Sequence, residues 1–403
     1  MAIAVGVARQ IAYKVEASWG VLPSASGAQY VRRVKADLNL KKDTYTSAEI
    51  RQDYQDAVFT HGMRKADFAL AGELSPGSYK DFMQAALRRD FATVAAITAA
   101  TFTIAVSGSF YSITRAAGSY LTDGVREGMI VRLTAGSFSA GNLNRNFLVT
   151  AVTALVITVA VVDSMTTAIV AEGPIATATM TLPGKVTYAP LTGHVNRSFA
   201  FEDWQSDIAQ SERFVGFRVG DMMLKYPPTG MGTVDFAMMG KDVSTATSQY
   251  FTTPTATTST GTVAGVNGIL IVNGVKLITL SGLNVNIKGN MSTEAVNGSN
   301  TTPDVFQGRI QVDGDFNAFF EDGVLRDIFL SEAKVAMAFV STVDGTVGSD
   351  FVAGYMPSIK LNDASKADSD KGLKRAYPFK ALLNTVTGAG KEGTTIQFQD
   401  SLA

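Results

Sequence analysis

The sequence predicts a mainly β protein with a few short helices: a duplicated module with a small β domain inserted into its first copy. Three observations predict this. Apolar and polar residues alternate with a period of two along much of the 403 residues, as half-buried strands require. Short motifs recur in one order along the chain. The spacing between the recurrences then drops once, as it must where one copy carries extra residues.

The recurrences run as follows. Leu38-Asn39-Leu40-Lys41 returns at Leu283-Asn284-Val285-Asn286, an offset of 245. Phe68 to Gly72 returns at Ile310 to Gly314, an offset of 242. Ser198 to Phe201 matches Ala336 to Phe339 at 138, and Phe214 to Leu224 matches Phe351 to Leu361 at 137. Phe236 pairs with Phe379 at 143. The step of about 104 between the second and third anchors places the extra residues between about Ala92 and Val186. The expected organisation is therefore a first module at 1–92 and 188–243, an outward-facing insert at 93–187, a linker at 244–265 and a second module at 266–403.

In the first module, Tyr30 to Leu40 and Ala57 to Leu70 read as strands. The connection from Lys41 to Asp56 holds Lys41, Lys42, Asp43, Glu49, Arg51 and Asp53, too charged to form a core. Its counterpart, Gly289 to Asp304, is rich in Asn, Ser and Thr. A helix follows each second strand, with Ser75-Pro76 as a start signal in the first copy. Further strands close each copy: Phe199 to Phe201 and Phe214 to Tyr226, then Val335 to Val340 and Tyr355 to Leu361. Glu202 to Arg213 is expected as a short amphipathic helix carrying Trp204 and Ile208. Ser244 to Gly265 is almost all Ser, Thr, Ala and Gly, a composition that buries no core of its own.

The insert is rich in Ala, Thr and Val. Ile97 to Val106, Ile130 to Leu133, Phe147 to Val152, Leu155 to Val161 and Ala176 to Leu182 read as short strands of a small barrel or sandwich. Its uncharged run Phe147 to Val162 is short for a membrane span and β-branched, so a buried strand pair is expected.

Composition excludes several function classes. A net charge of −1 does not suit a protein that wraps nucleic acid, since neutralising phosphate takes clustered Lys and Arg. The absence of cysteine removes disulfide scaffolds, thiol catalysis and Cys-based zinc sites. The N-terminus reads as lacking a signal peptide. No catalytic, cofactor or metal site is expected. His61 and His194 stand alone. Gly388-Ala389-Gly390-Lys391 lacks the first glycine of a phosphate loop, with Glu392 where Ser or Thr should stand. Asp363, Asp368 and Asp370 lack the bidentate Glu of a calcium loop.

The order strand, long loop, strand, helix, then strands runs from Val34 to Gly240 and again from Ile269 to Phe398. With Thr233 to Asp242, Met356 to Leu361 and Gly372 to Phe379, it resembles the tail tube (major tail) proteins of long-tailed bacteriophages. The resemblance implies a β-sandwich or half-barrel fold and a structural role in the virion tail, after assembly in the host bacterial cytoplasm. Subunits of that family join sheets edge to edge around a bore that passes the genome without specific binding. The implied partners are further copies of the chain, a tape measure protein, and tail terminator and distal tail proteins; no membrane is involved. Two modules per chain lead to homotrimeric rings with pseudo-sixfold symmetry, a homohexamer being the alternative. Asp235, Asp313 and Asp315 are the candidate bore-facing acids. The Lys41 to Asp56 loop, its Gly289 to Asp304 counterpart and terminal arms Met1 to Ser18 and Gln399 to Ala403 are the candidate contacts between stacked rings. A tube of a related secretion or injection system, or a decoration or carbohydrate-binding virion protein, are the competing readings.

Overall fold

The computed structural model describes residues 3–163, 168–366, 372–385 and 390–403. A 3-10 turn (Gly6–Ala8) leads into β1 (Arg9–Val15), β2 (Gln29–Tyr30), β3 (Lys35–Thr46), β4 (Phe59–Glu73) and α1 (Lys80–Leu87). Next come β5 (Ile97–Ser107), β6 (Phe110–Arg115), β7 (Ile130–Ala135), β8 (Phe147–Val152), β9 (Val156–Val161) and β10 (Glu172–Thr181). The chain returns through β11 (Lys185–Tyr188), β12 (Phe199–Gln205), β13 (Gln210–Tyr226), β14 (Thr233–Gly240) and β15 (Asp242–Ala246). A second 3-10 turn (Gly265–Asn267) opens β16 (Gly268–Val272), β17 (Val275–Leu277), β18 (Leu280–Lys288), β19 (Ser292–Thr293) and β20 (Val305–Phe306). Last come β21 (Gln311–Phe319), α2 (Val324–Leu330), β22 (Val335–Thr342), β23 (Phe351–Leu361), β24 (Ser365–Lys366), β25 (Lys374–Ala381) and β26 (Gln397–Asp400).

One antiparallel run of strands, β3-β4-β14-β13-β18-β21-β25-β23, crosses both halves of the chain. Its first four strands have the same order as its last four. The halves meet at the β13–β18 ladder, where Met222 faces Ile287 and Leu224 faces Val285. Side chains alternate across this sheet. Phe68, Leu70, Met222, Leu224, Phe236, Val285, Ile287 and Phe379 point into the main core, and polar residues occupy the other face.

A second layer lies across that core. β1, β12, the start of β13 and β15 pair in the N-terminal half; β16, β22, the start of β23 and β26 pair in the C-terminal half. β13 and β23 therefore run through both layers, and β13 shifts register between Val219 and Asp221 where it changes sheets. Such a bulge bends a strand at a corner. Helix α1 is buried between the layers, with Phe82 against Tyr13, Phe199 and Phe236.

The ladders also revise three repeat anchors, among them Ser198 to Phe201, where Phe339 takes the place of Phe199. With Leu224 matched to Leu361, Gly72 and Gly314 do align, but Phe379 takes the place of Val234 rather than Phe236. Asn286 likewise takes the place of Lys35, not Lys41. Slips of two or six residues keep every apolar residue on its own face, so the pattern alone cannot fix register.

β5 to β10 close into a six-stranded barrel, in the order β10-β5-β6-β9-β8-β7, with its own core of Phe102, Ile113, Tyr120, Phe147, Val149 and Val159. β6 was not among the strands expected. A second apolar cluster joins the barrel's Ile130, Leu148, Ala160 and Val162 to Ile269, Ile271, Ala338, Val340, Phe351, Ala353 and Tyr355. The barrel thus sits on the outer layer of the C-terminal half, away from the polar sheet face. Tyr355 Oη donates to Glu127 Oε2 at 2.5 Å, and the Gln399 amide bridges the Ile130 N–H and C=O. At Gly128, φ is +81° and a Cβ would come within 2.2 Å of the Tyr355 side chain. Only glycine fits there.

Three other expectations are corrected. Glu202 to Arg213 is a hairpin, not a helix: Glu202 faces Arg213 and Asp203 faces Glu212 across β12 and β13. Long ladders on both flanks outweigh the local helical spacing. Both predicted terminal arms also run into the sheet. β1 lies in the sheet, and Gln399 and Asp400 are buried in β26. Within 244–265, Phe251 is fully buried against Ala12 and Ala28, and the buried Glu202 carboxylate accepts from the Tyr250 and Phe251 N–H groups.

Candidate functional site

The polar face of the eight-strand sheet is built from every second residue. β3 presents Lys35, Asp37, Asn39 and Lys41; β4 presents Lys65, Asp67, Ala69, Ala71 and Glu73. β14 and β13 add Asp235 and Ala237 opposite Met223 and Asp221, Met239 opposite Arg218, and Lys225 beside Thr233. β18 and β21 add Asn284, Asn286, Lys288, Asp313 and Asp315, and β25 adds Lys374 and Lys380. A concavity of about 570 Å³ lies on this face, lined in part by Asp37, Ala71, Met223, Lys225 and Asp235.

Asp235, Asp313 and Asp315 all lie on this face, each half-buried and partnered. Lys225 Nζ is 2.8 Å from Asp235. Lys288 Nζ reaches Asp313 at 2.7 Å, and Asn286 Nδ2 donates to Asp313 at 3.1 Å. Asn284 Nδ2 donates to Asp315 at 3.1 Å. Asp313 and Asp315 are neighbours on β21; Asp235 lies three strands away, roughly 14 Å at ordinary strand spacing. The lysines were the part that sequence reading missed. Their alternation was visible, but nothing local showed that these strands share one face with the acids. Lys35, Lys41, Lys65, Lys225 and Lys288 each pair with an aspartate, whereas Lys374 and Lys380 form no ion pair among the described residues.

The predicted loop residues divide. Lys41, Lys42 and Asp43 belong to β3, where Lys41 pairs with Asp67 at 2.8 Å and Asp43 with Lys65 at 2.8 Å. Glu49, Arg51 and Asp53 lie in the connection between β3 and β4, and Arg51 pairs with Asp53 at 2.7 Å. This connection projects, with Ile50 and Tyr54 fully exposed at its tip. Tyr54 has φ +56°, a costly conformation for a bulky residue. The counterpart after β18 folds back on the N-terminal half instead. Arg88, left-handed at the end of α1, donates to the Gly289 and Gly308 carbonyls. Burial, reinforced by nearby Arg218, lowers its pKa from the usual arginine value. Arg218 donates to the Val305 carbonyl and pairs with Asp304 at 3.0 Å.

The eight-strand run leaves an edge open at each end. β3 pairs with β4 alone, and β24 with β25 alone, among the described residues. Among the described residues, no convergent chemistry competes with this feature. His61 stands on exposed β4 with its ring edge-on to Phe59, and His194 is exposed outside any strand. Among the described residues, no group of three or more His, Asp or Glu side chains could hold a metal, and no helix is long and apolar enough to cross a membrane. Asp368, Asp370, Gly388 and Ala389, considered above as loop motifs, lie outside the described residues.

A broad antiparallel sheet, polar on one face and apolar on the other, is the frame of a mainly β protein. The sequence profile of the phage tail tube proteins matches residues 6–381, and the chain belongs to that family. A comparison with curated protein sequences gives no significant match. As a tail tube protein it is a structural component of the virion tail, whose family assembles into a tube and meets other tail proteins.

Proposed function

We propose that the chain is a fused pair of tube modules, and that three chains close one ring of the tail tube with pseudo-sixfold symmetry. The observation that carries this is the shared strand order, β3-β4-β14-β13 and then β18-β21-β25-β23, joined by an internal ladder at β13–β18. Repeating that junction between chains brings the β23–β24 edge of one copy against β3 of the next. Ring closure removes the open edges, which would otherwise invite uncontrolled pairing.

In this reading the polar face lines the bore, Asp235, Asp313 and Asp315 included. DNA slides past a surface on which Lys35, Lys41, Lys225 and Lys288 are already paired with carboxylates, which keeps any salt-dependent grip on phosphate weak. The barrel, beyond the outer layer, faces away from the genome. Rings stack through the β3–β4 connection carrying Glu49, Arg51 and Asp53. A tape measure protein inside the bore, and terminator and distal tail proteins at the ends, are the further partners, with assembly in the host cytoplasm.

Mass measurement and end-on electron microscopy of purified rings test this. Three chains per ring, with six similar lobes around a channel, are expected; six chains per ring would overturn the stoichiometry. The protein should also not retain duplex DNA at physiological salt.

A further inference from the structure

We propose that Ile50 and Tyr54, at the β3–β4 tip of one chain, seat in the apolar groove beside α2 of a second copy in the next ring. The inference rests on the stacked-ring reading above and names the acceptor surface for the stack.

Ladder registers place the two features at opposite ends of the sheet. Thr46 pairs with Phe59 at the tip end of the β3–β4 hairpin. The other end follows across the strands through Glu73–Thr233, Lys225–Asn284 and Asn284–Asp315 to Phe319–Lys374. There the groove is lined by Leu277, Phe319, Phe320, Val324, Leu325 and Tyr377, among others, around a cavity of about 100 Å³. That space takes one large side chain, the Tyr54 ring, with Ile50 resting on the exposed apolar rim. Tyr54 is 98% exposed and Ile50 wholly so, while Phe319, Phe320 and Val324 are exposed large apolar residues at the groove. Each surface leaves apolar area in water that the other would cover.

The charges agree. Arg51 is taken up by Asp53, so Glu49 and Asp56 are the tip charges with no ion pair among the described residues. At the groove, Glu321 and Asp322 share the lining with Lys276, and Lys374 over the Phe319 ring and Arg375 over the Phe320 ring tip the balance to basic. Arg375 Nε is buried without a hydrogen-bond partner among the described residues, which an arriving acceptor would supply. A knob at one end and a socket at the other form a heterologous contact. Such contacts propagate without closing, as a tube requires.

The natural chain has no cysteine, so a Tyr54→Cys, Val324→Cys double variant reports this contact directly. Oxidised tubes should give a covalent ladder on a denaturing gel extending beyond the chains of a single ring, reversed by reductant. Tyr54→Asp should leave rings intact and reduce stacking by tenfold or more, and Val324→Asp should do the same from the other side. Tubes that form normally from Tyr54→Asp, or well-formed double-cysteine tubes without crosslinks, overturn the pairing. Unaltered protein that makes no rings under any condition refutes the stacked-ring reading itself, and the pairing with it.

Discussion

In the N-terminal half, the outward positions of β1 and β12 are Ala12, Lys14, Ala200 and Glu202, and a short segment around Tyr250 and Phe251 covers Ala12 and Glu202. In the C-terminal half the corresponding strands present Ile269, Ile271, Ala338, Val340, Phe351, Ala353 and Tyr355, and a whole barrel covers those. The two halves share a strand order but not an outer surface. Strands with one polar face alternate; strands buried on both faces run continuously apolar. Phe351-Val352-Ala353-Gly354-Tyr355-Met356 is such a run, and it marks the half on which the barrel rests. An insertion in one part of a chain can thus serve as the cover of another part.

The most severe way to break this comparison is to remove the cover. Ala92 and Val186 pair across the base of the insertion, so residues 95–184 can be replaced by a short glycine-rich linker. Fully burying each large apolar side chain of the exposed patch contributes about 1.5–3 kcal/mol, and the shortened chain is expected to aggregate. Adding Ile271→Thr, Val340→Thr and Phe351→Thr should restore solubility. A soluble shortened chain without those changes would show that the barrel is not a cover.

Phe251→Ala tests the lighter cover of the N-terminal half. Loss of a buried phenylalanine costs about 3–5 kcal/mol, to be read as a lowered denaturant midpoint with the barrel still docked. Tyr355→Phe is a smaller change on the other side. It removes the hydroxyl that donates to the buried Glu127, whose pKa is raised by burial and held back by Tyr355 and Lys391. About 1–3 kcal/mol should be lost, and proteolysis between barrel and sheet should become faster. An unchanged cleavage rate would mean that this contact does not hold the barrel in place.

The smallest effect links the halves through pH. Asp400 in β26 accepts from the Gly77 N–H ahead of α1. Burial pushes its carboxyl up to about 6, against the Gly77 and Leu402 N–H groups and Lys80, which favour the charged form. A carboxyl raised above its unfolded value binds its proton more tightly in the folded chain. Its contribution is full below about pH 4 and is lost as pH rises through about 6. Asp400→Asn should flatten the stability profile across that window; an unaltered slope would place the titration elsewhere.

Much of the fold was legible because alternation encodes which face of a strand is buried. The strands expected at Phe214 to Tyr226 and Tyr355 to Leu361 follow from it. Register was not legible, since an even slip preserves the pattern: Asn286 corresponds to Lys35, six residues from where the motif placed it. The hairpin at Glu202 to Arg213 was hidden because its partners lie far away in sequence, in β1 and β15. The different fates of the two long connections were equally hidden. Arg88 and Arg218, which hold one of them down, carry no local sign of that task.

The internal ladder between β13 and β18 has a mechanical consequence. Tethering gives the two strands an effective concentration of order millimolar, so this junction re-forms whenever it opens. A junction between separate chains has only its hydrogen bonds and side chains. In a wall made of both kinds, outward pressure would open the seams between chains first, and a burst tube should split into pieces bounded by β3 on one side and β24 on the other.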